Sequence, residues 1–445
     1  MHIKKIILSL ATVLIFSTDV WADSAIYACG HIRRERTTAI PKLKMSGYNT
    51  VILFNINVEP DGSLCTDYNW ANSTPDQAGG IVCKNGEYIF DKVQPYFAED
   101  VSSLLVAPTS VNRIEICIGG WGNGSYGNIK NLINKYGTGE ETELYRNFKA
   151  LHEAIPEIMA VNNDQEQDYD VEAATAFHKM LAKIGFKTAI APYTQRNFWK
   201  QLVENLNAEE QICDIVYLQT YAGGASNRPT DWDVFGDIPM WVGFDCEASG
   251  DISAMENLMK NFSDSSKACG GFLWNYNNEA RNLNEWASTI NRIFDSGAVA
   301  KEEAAATFYE KRNFSGYSVS LAEGEYTQPD LALRGIQAAH ILSMEIKEGY
   351  KVTLNSGQAF DGVLDVQFTE SSDFFGPQWI SRGVASLKIE KNAEDNSSVA
   401  LTQQESTDYV EYYNLQGQKL NSLQSLPSGI YIEKRGTITN KIIKK

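Results

Sequence analysis

The run Asn162-Asn163-Asp164-Gln165-Glu166 follows a short apolar stretch that begins at Ile158. On an extended chain, residues two apart point to the same side. Asp164 and Glu166 held that close cannot both ionise freely, so one is pushed toward keeping its proton. A protonated carboxyl beside a charged one is what cleavage of a glycosidic bond requires. The same spacing also suits a solvated acidic loop, since acids continue at Asp168 and Asp170. No CxxC is present and the 5 histidines are scattered, so no metal site and no cofactor are expected.

The pair needs a scaffold, and the surrounding text supplies one. Eight short apolar runs read as strands: Ile26 to Cys29, Thr50 to Ile56, Arg113 to Ile118, Ile158 to Asn162, Lys187 to Ala191, Ile215 to Gln219, Met240 to Phe244 and Gly271 to Trp274. Amphipathic stretches such as Val171 to Ile184, Gln195 to Leu206, Ile252 to Asn261 and Leu283 to Phe294 lie between them, with apolar residues three and four apart. Eight strands alternating with helices predict an α/β fold, a (β/α)8 TIM barrel over residues 23–297. Asp164 and Glu166 then sit at the carboxyl end of a strand, where such barrels keep their chemistry. A doubly wound open sheet is the alternative. It wants a Gly-rich phosphate turn, and Gly119-Gly120-Trp121-Gly122 lacks the dinucleotide spacing.

Beyond the barrel, residues 298–307 read as an Ala- and Glu-rich connector. From 308 to 391 the pattern turns to period-two runs with Gly turns. Phe314 and Gly316 return as Phe360 and Gly362, and Ser343-Met344-Glu345-Ile346 returns as Ser386-Leu387-Lys388-Ile389. Two such units predict a small all-β domain of paired Greek keys. Residues 392–407 are a polar linker, and 408–445 form a short β tail that ends on Lys441, Lys444 and Lys445.

Composition narrows the partners. The 445 residues carry 39 basic and 56 acidic side chains, a formal net charge of -17. Such a surface repels phosphate backbones and anionic lipid heads, which argues against nucleic acid. Neutral or cationic ligands fit, and 9 Trp, 21 Tyr and 19 Phe suit stacking on sugar rings as well as core packing. His2, Lys4 and Lys5 precede an apolar run from Ile6 to Phe16, and small residues follow near Ala22. Residues 1–22 therefore read as a secretory signal, with no integral membrane segment after it. Of the 7 cysteines, Cys65 and Cys83 flank one loop. They could close it as a disulfide or lie buried as thiols.

The order of motifs resembles glycoside hydrolase family 18, the chitinases and endo-β-N-acetylglucosaminidases, over about Tyr27 to Phe294. The family's fourth strand ends in DxxDxDxE, and Asp164 and Glu166 take the last two acidic positions. Met159 and Asn162 stand at the two earlier ones. Cys117-Ile118-Gly119-Gly120 is similar to the family's SxGG, and Gln219-Thr220-Tyr221 to its sixth-strand motif. Ala191-Pro192-Tyr193 and Trp274 match the fifth and eighth strands.

This resemblance implies retaining hydrolysis in which the sugar's own 2-acetamido carbonyl is the nucleophile. Glu166 would be the acid and then the base. Asp164 would hold the acetamide N–H, Tyr221 its oxygen, and Trp274 would floor the site. Gln219, Tyr193, Gly119, Gly120 and Asn162 would complete substrate binding. Asparagine cannot share a proton and methionine neither bonds nor shares one, so the relay that the family runs through those two acids is broken here. Two readings stand: an enzyme, or a non-catalytic glycan-binding protein on the same barrel. Only a short segment separates Phe244 from Gly271, without the domain many chitinases insert there. An open cleft suits the chitobiose core of N-glycans at least as well as chitin.

Residues Tyr309 to Ile389 resemble βγ-crystallin modules. The positions that bind calcium in that family are Ala338-Ala339 and Ser381-Arg382 here, which offer no carboxylate, so no calcium is expected. The module then serves as a spacer or an accessory glycan binder. The tail, with Asn414-Leu415-Gln416-Gly417-Gln418-Lys419 and Pro427-Ser428-Gly429-Ile430-Tyr431-Ile432, resembles the C-terminal sorting domains of Bacteroidetes type IX secretion. That implies an export partner and a place at the cell surface or outside.

Overall fold

The computed structural model describes residues 23–66, 80–264, 267–276, 282–294, 301, 303–337, 340–392, 410–414, 419–420, 429–435 and 438–444. The expected signal segment, the 338–339 pair, residues 298–300 and 302 of the first expected linker and residues 393–407 of the second lie outside the described residues. The chain divides into two compact units, Met1–Asn392 and Ala393–Lys445.

Strand β1 (Asp23–Ala28) pairs in parallel with β2 (Thr50–Val58) on one side. An antiparallel extension, β3 (Leu64–Thr66), β4 (Ile81–Lys84) and β5 (Glu87–Tyr88), hangs from β2. Then come β6 (Arg113–Gly119), β7 (Ile158–Asp164), β8 (Lys187–Ile190), β9 (Cys213–Leu218), β10 (Met240–Asp245) and β11 (Gly270–Tyr276). The order β1-β11-β10-β9-β8-β7-β6-β2 closes on itself through the β1–β2 pair, so the eight parallel strands form a barrel. An open sheet would have left β1 or β2 as an edge; the open alternative is excluded.

The eight strands read as continuous apolar runs because both of their faces are covered. Alternate residues fill the interior, where Tyr27, Ile52, Cys117, Ala189, Tyr217, Trp241 and Phe272 pack together. The others meet the surrounding helices in a larger cluster that includes Leu43, Phe148, Phe177, Met259 and Ile290. The helix Val171–Ile184 starts where the Asp170 carboxylate accepts from the Ala173 N–H at 2.9 Å, and stops at Gly185, φ 127°.

Cys65 and Cys83 do not form a disulfide; both are free thiols, as are the other five cysteines. Leu64 is the residue opposite Cys83 across β3 and β4. Leu64 and Cys83 share the buried face, which turns Cys65 to the other side.

Residues 306–391 form two antiparallel sheets. One has the order β13 (Ser315–Leu321), β12 (Ala306–Lys311), β15 (Ser343–Ile346). The other runs β14 (Gly324–Tyr326), β18 (Ser386–Lys391), β16 (Tyr350–Asn355), β17 (Asp365–Phe368). β14 thus joins the second half's sheet, and a bridge from Met344 to Ser372 returns the exchange. Around them Phe308, Met344, Leu387 and Trp379 are buried. The internal repeat is visible in two serines. Ser343 Oγ accepts from the Phe314 N–H and donates to the Lys311 carbonyl, at 3.1 and 2.6 Å. Ser386 Oγ does the same with Phe360 and Gly357, at 3.0 and 2.7 Å.

This module docks at the amino-terminal end of the barrel strands. Asn291, near the end of the last barrel helix, donates to the carbonyls of Gly47 and Ala332, both at 2.9 Å. Arg292 donates to the Gly335 carbonyl at 2.7 Å and covers the Tyr317 ring. Gly47 lies three residues before the start of β2, and a side chain there would meet Ala332 Cβ at 2.7 Å. In the second unit, β19 (Val410–Tyr413), β20 (Lys419–Leu420), β21 (Gly429–Arg435) and β22 (Ile438–Lys444) form a sheet in the order β20-β19-β21-β22.

Candidate active site

The carboxyl ends of the strands open into a cleft of about 390 Å³. Its lining comes from β2, β6, β7, β8, β9, β10 and β11 and the loops that follow them, with Phe54, Asp164, Tyr193, Tyr221, Asp245 and Trp274 among the contributors. Seven of the nine residues expected at the site line it together: Asp164, Glu166, Tyr193, Gln219, Tyr221, Trp274 and Gly120.

Asp164 ends β7 and is buried, while Glu166 lies just beyond the strand and is half-buried. Gln219 donates its amide N–H to Asp164 Oδ1 at 2.9 Å and to the Ala191 carbonyl at 3.0 Å, tying three strand ends together. Burial, and then the neighbouring Glu166 charge, raise the Asp164 pKa well above the ordinary carboxylate value. Burial raises Glu166 as well, and the Gln219 amide opposes both shifts. A pair of this kind retains a proton where free carboxyls have lost theirs. Burial and the two acids also push the Tyr221 hydroxyl well above 10.0, so it remains a donor.

The loop is held from behind as well as from the cleft. Asn163 faces outward and donates to His178 Nε2 at 2.9 Å, and the other ring nitrogen contacts Thr188 Oγ1 at 3.0 Å. Asn163 Oδ1 accepts from the Gln165 N–H at 2.9 Å, which fixes the backbone between the acids. Burial drops the His178 pKa to about 3, so the ring is neutral.

Gly119 does not reach the cleft. It allows the crossing of β6 and β7: at φ 111° a side chain would meet the Asp164 carbonyl oxygen at 2.2 Å, while the Gly120 N–H donates to that oxygen at 2.7 Å. Asn162 is likewise shut off from ligand. It is 0% exposed in the interior, with Oδ1 accepting from the Tyr27 hydroxyl at 3.0 Å and Nδ2 donating to Glu115 Oε2 at 2.9 Å. Its place is structural support beneath the acids, not direct substrate contact. Met159 is 38% exposed, on the outer side of β7.

Several further residues of consequence carry no signal that the motifs above pick out. Glu115, 0% exposed, also accepts from the Tyr217 hydroxyl at 2.9 Å and from Arg113 Nε at 2.6 Å. Arg113 in turn grips Asp214 through two bonds of 2.8 Å. The chain of contacts runs from Asp214 to Tyr27, whose ring packs edge-on against Trp274 at 5.3 Å and Phe54 at 6.2 Å. Phe54 and Trp274 themselves stand edge-on at 4.8 Å, and the peptide bonds after them are cis. Phe54 lay hidden in an apolar strand. Trp121, 87% exposed at the rim, followed the glycine pair in plain view. Asp245 obeyed the strand-end rule that singled out Asp164, one residue past the expected end of its strand.

Among the described residues the lining holds three carboxylates, those of Asp164, Glu166 and Asp245, and no Lys, Arg or His. Aromatic faces, protonated and ionised acids, an amide and a hydroxyl suit a neutral polyhydroxylated ligand. Among the described residues there is no group of His, Cys, Asp and Glu that could hold a metal ion.

No family model matches, and no curated protein matches. Among solved structures, the chain is similar to a βγ-crystallin domain from Flavobacterium johnsoniae, at 25% identity over 20% of this chain and 97% of that one, TM-score 0.19. A βγ-crystallin domain from Clostridium beijerinckii is 30% identical over 20% of this chain and 99% of that one, TM-score 0.19. The N-terminal domain of protein S is 27% identical over 20% and 97%, also at 0.19.

Proposed function

We propose that the chain is an exported retaining glycoside hydrolase that cleaves β-1,4 linkages of N-acetylglucosamine by substrate assistance. The observation that carries this reading is the Asp164–Glu166 pair, both raised by burial, in one cleft with the Tyr221 hydroxyl and the Trp274 ring. In this reaction Glu166 gives its proton to the glycosidic oxygen as the C1–O bond breaks. The acetamido carbonyl oxygen of the same sugar closes on C1, and Asp164 accepts the acetamide N–H of the resulting oxazolinium ion. Water then attacks C1, Glu166 takes its proton, the ring opens and configuration is retained.

Between β10 and β11 the described residues hold a single helix, Ile252–Ser263. The cleft is therefore shallow on that side, which favours the chitobiose core of N-glycans over processive work on chitin. Chitinase is the alternative substrate reading. The strand exchange in residues 306–391 fits paired Greek keys. We assign export to the leader and the β tail, and no described helix is long and apolar enough to cross a membrane.

A non-catalytic glycan binder remains the second reading, favoured by Asn162, which is bonded at both ends and cannot relay a proton. One experiment separates them: mass spectrometry of glycans released from a high-mannose and a complex-type glycoprotein, with chitooligosaccharides alongside, for wild type and Glu166→Gln. Release leaving one reducing N-acetylglucosamine, lost in the variant, supports the endoglycosidase. Shortened chitooligosaccharides alone make it a chitinase. Binding without release in wild type refutes catalysis.

A further inference from the structure

Asp164 and Glu166 account for the chemistry proposed above, yet a third carboxylate faces the same cleft. Asp245 ends β10 and stands in register with Trp274 on β11. In barrel order it lies three strands from β7, with Tyr221 of the β9 loop between. Its Oδ1 accepts from the N–H groups of Glu247 and Ala248, at 3.0 and 2.9 Å. Those two bonds fix the plane of the carboxylate. Among the described residues its Oδ2 has no hydrogen-bond or ion-pair partner, and none of those that line the cleft is a cation.

A sugar ring that lies on an indole turns its C–H face to the ring and its hydroxyls outward around the rim. A carboxylate oxygen fixed at that rim accepts such hydroxyl hydrogens, and bonds to an ionised acceptor are about twice as strong as neutral ones. The same charge, added to the acid pair, repels an anionic substituent. We propose that Asp245 is a substrate-gripping residue, whose free oxygen holds hydroxyls of the ring stacked on Trp274 and makes the cleft selective for uncharged sugars. This rests on the glycosidase reading for its ligand class, but not on turnover.

Gly243, two residues earlier, supports the placement. A side chain there would meet the rings of Phe272 and Tyr221 at 2.5 and 2.6 Å, so its absence lets Tyr221 lie close to the β10 strand that carries Asp245.

The test uses the full chain with Asp245→Asn and Asp245→Ala. On the glycan that wild type cleaves, both variants raise KM, by about 10- to 100-fold for alanine and less for asparagine. kcat changes less, and the pH profile keeps its shape. Binding of N,N′-diacetylchitobiose, read by calorimetry on a Glu166→Gln background, weakens in parallel. Wild type discriminates against the 6-O-sulfated disaccharide, and Asp245→Asn narrows that gap. Unchanged KM and affinity in both variants, with thermal unfolding like wild type, overturn the proposal. If no sugar is cleaved but chitobiose binding depends on Asp245, the hydrolase reading falls and the gripping role stands. If chitobiose neither binds nor is cleaved, both fall.

Discussion

Replacing Glu115 tests whether the barrel interior beneath the cleft is organised by its carboxylate. In Glu115→Ala, Arg113 keeps both bonds to Asp214, but its Nε, the Tyr217 hydroxyl and the Asn162 amide lose their acceptor. Tyr217, Asn162 and Glu115 are all 0% exposed, so water does not replace it. Each orphaned donor costs about 1–3 kcal/mol. Removing one partner of a buried charge pair costs about 3–5 kcal/mol in all, a range that already contains the orphaned donors. Relief from burying a carboxylate pulls toward the lower end. At ~2–4 °C per kcal/mol for a domain of this size, Tm falls by about 6–20 °C. Glu115→Gln keeps one acceptor oxygen, which leaves at least one of the three donors without its acceptor, and costs about 1–3 kcal/mol. Urea titration of the full chain, with m compared between variants, gives the numbers. A loss below ~1 kcal/mol in Glu115→Ala, with m unchanged, refutes the reasoning.

Gly119→Ala forces apart β6 and β7 at the Asp164 carbonyl; stability falls by at least about 2 kcal/mol and turnover falls with it, measured by denaturant titration and glycan release. Gln219→Leu removes the donor that opposes the raised pKa of both acids, so the alkaline limb of kcat/KM moves to higher pH. His178 is neutral in the fold and its pKa is lowered from 6.5 to about 3. Its contribution is intact above pH 6.5 and is lost as pH falls toward 3, because the unfolded chain takes up the proton first. The slope is ~1.4 kcal/mol per pH unit, and His178→Gln flattens that part of the stability–pH curve. A thiol reductant leaves Tm unchanged, since none of the seven cysteines is bonded.

The barrel was legible because its strands are buried on both faces and spaced by amphipathic helices, a pattern that survives in one dimension. The acid pair was legible because a two-residue spacing on a strand fixes a shared side. The support beneath it was not. Glu115 and Arg113 alternate with isoleucines at the start of an apolar strand, and nothing local shows that a glutamate there points inward to meet Asn162 and Tyr217. The motif position of Asn162 suggests a ligand contact, whereas the alternation that turns Asp164 to the mouth places Asn162 one layer deeper. The Cys65–Cys83 bond failed on register: a one-residue offset puts diagonal neighbours on opposite faces.

The docking of residues 306–391 against Gly47, Asn291 and Arg292 has a consequence for large substrates. The strands point away from that contact, so the mouth and the module occupy opposite poles of the barrel. The module cannot lengthen the groove or share a sugar with Trp274. A body held by its module would face its open cleft outward, free to meet a ligand that is itself anchored to a protein or a wall. Orientation, rather than added affinity, is then what the second domain contributes.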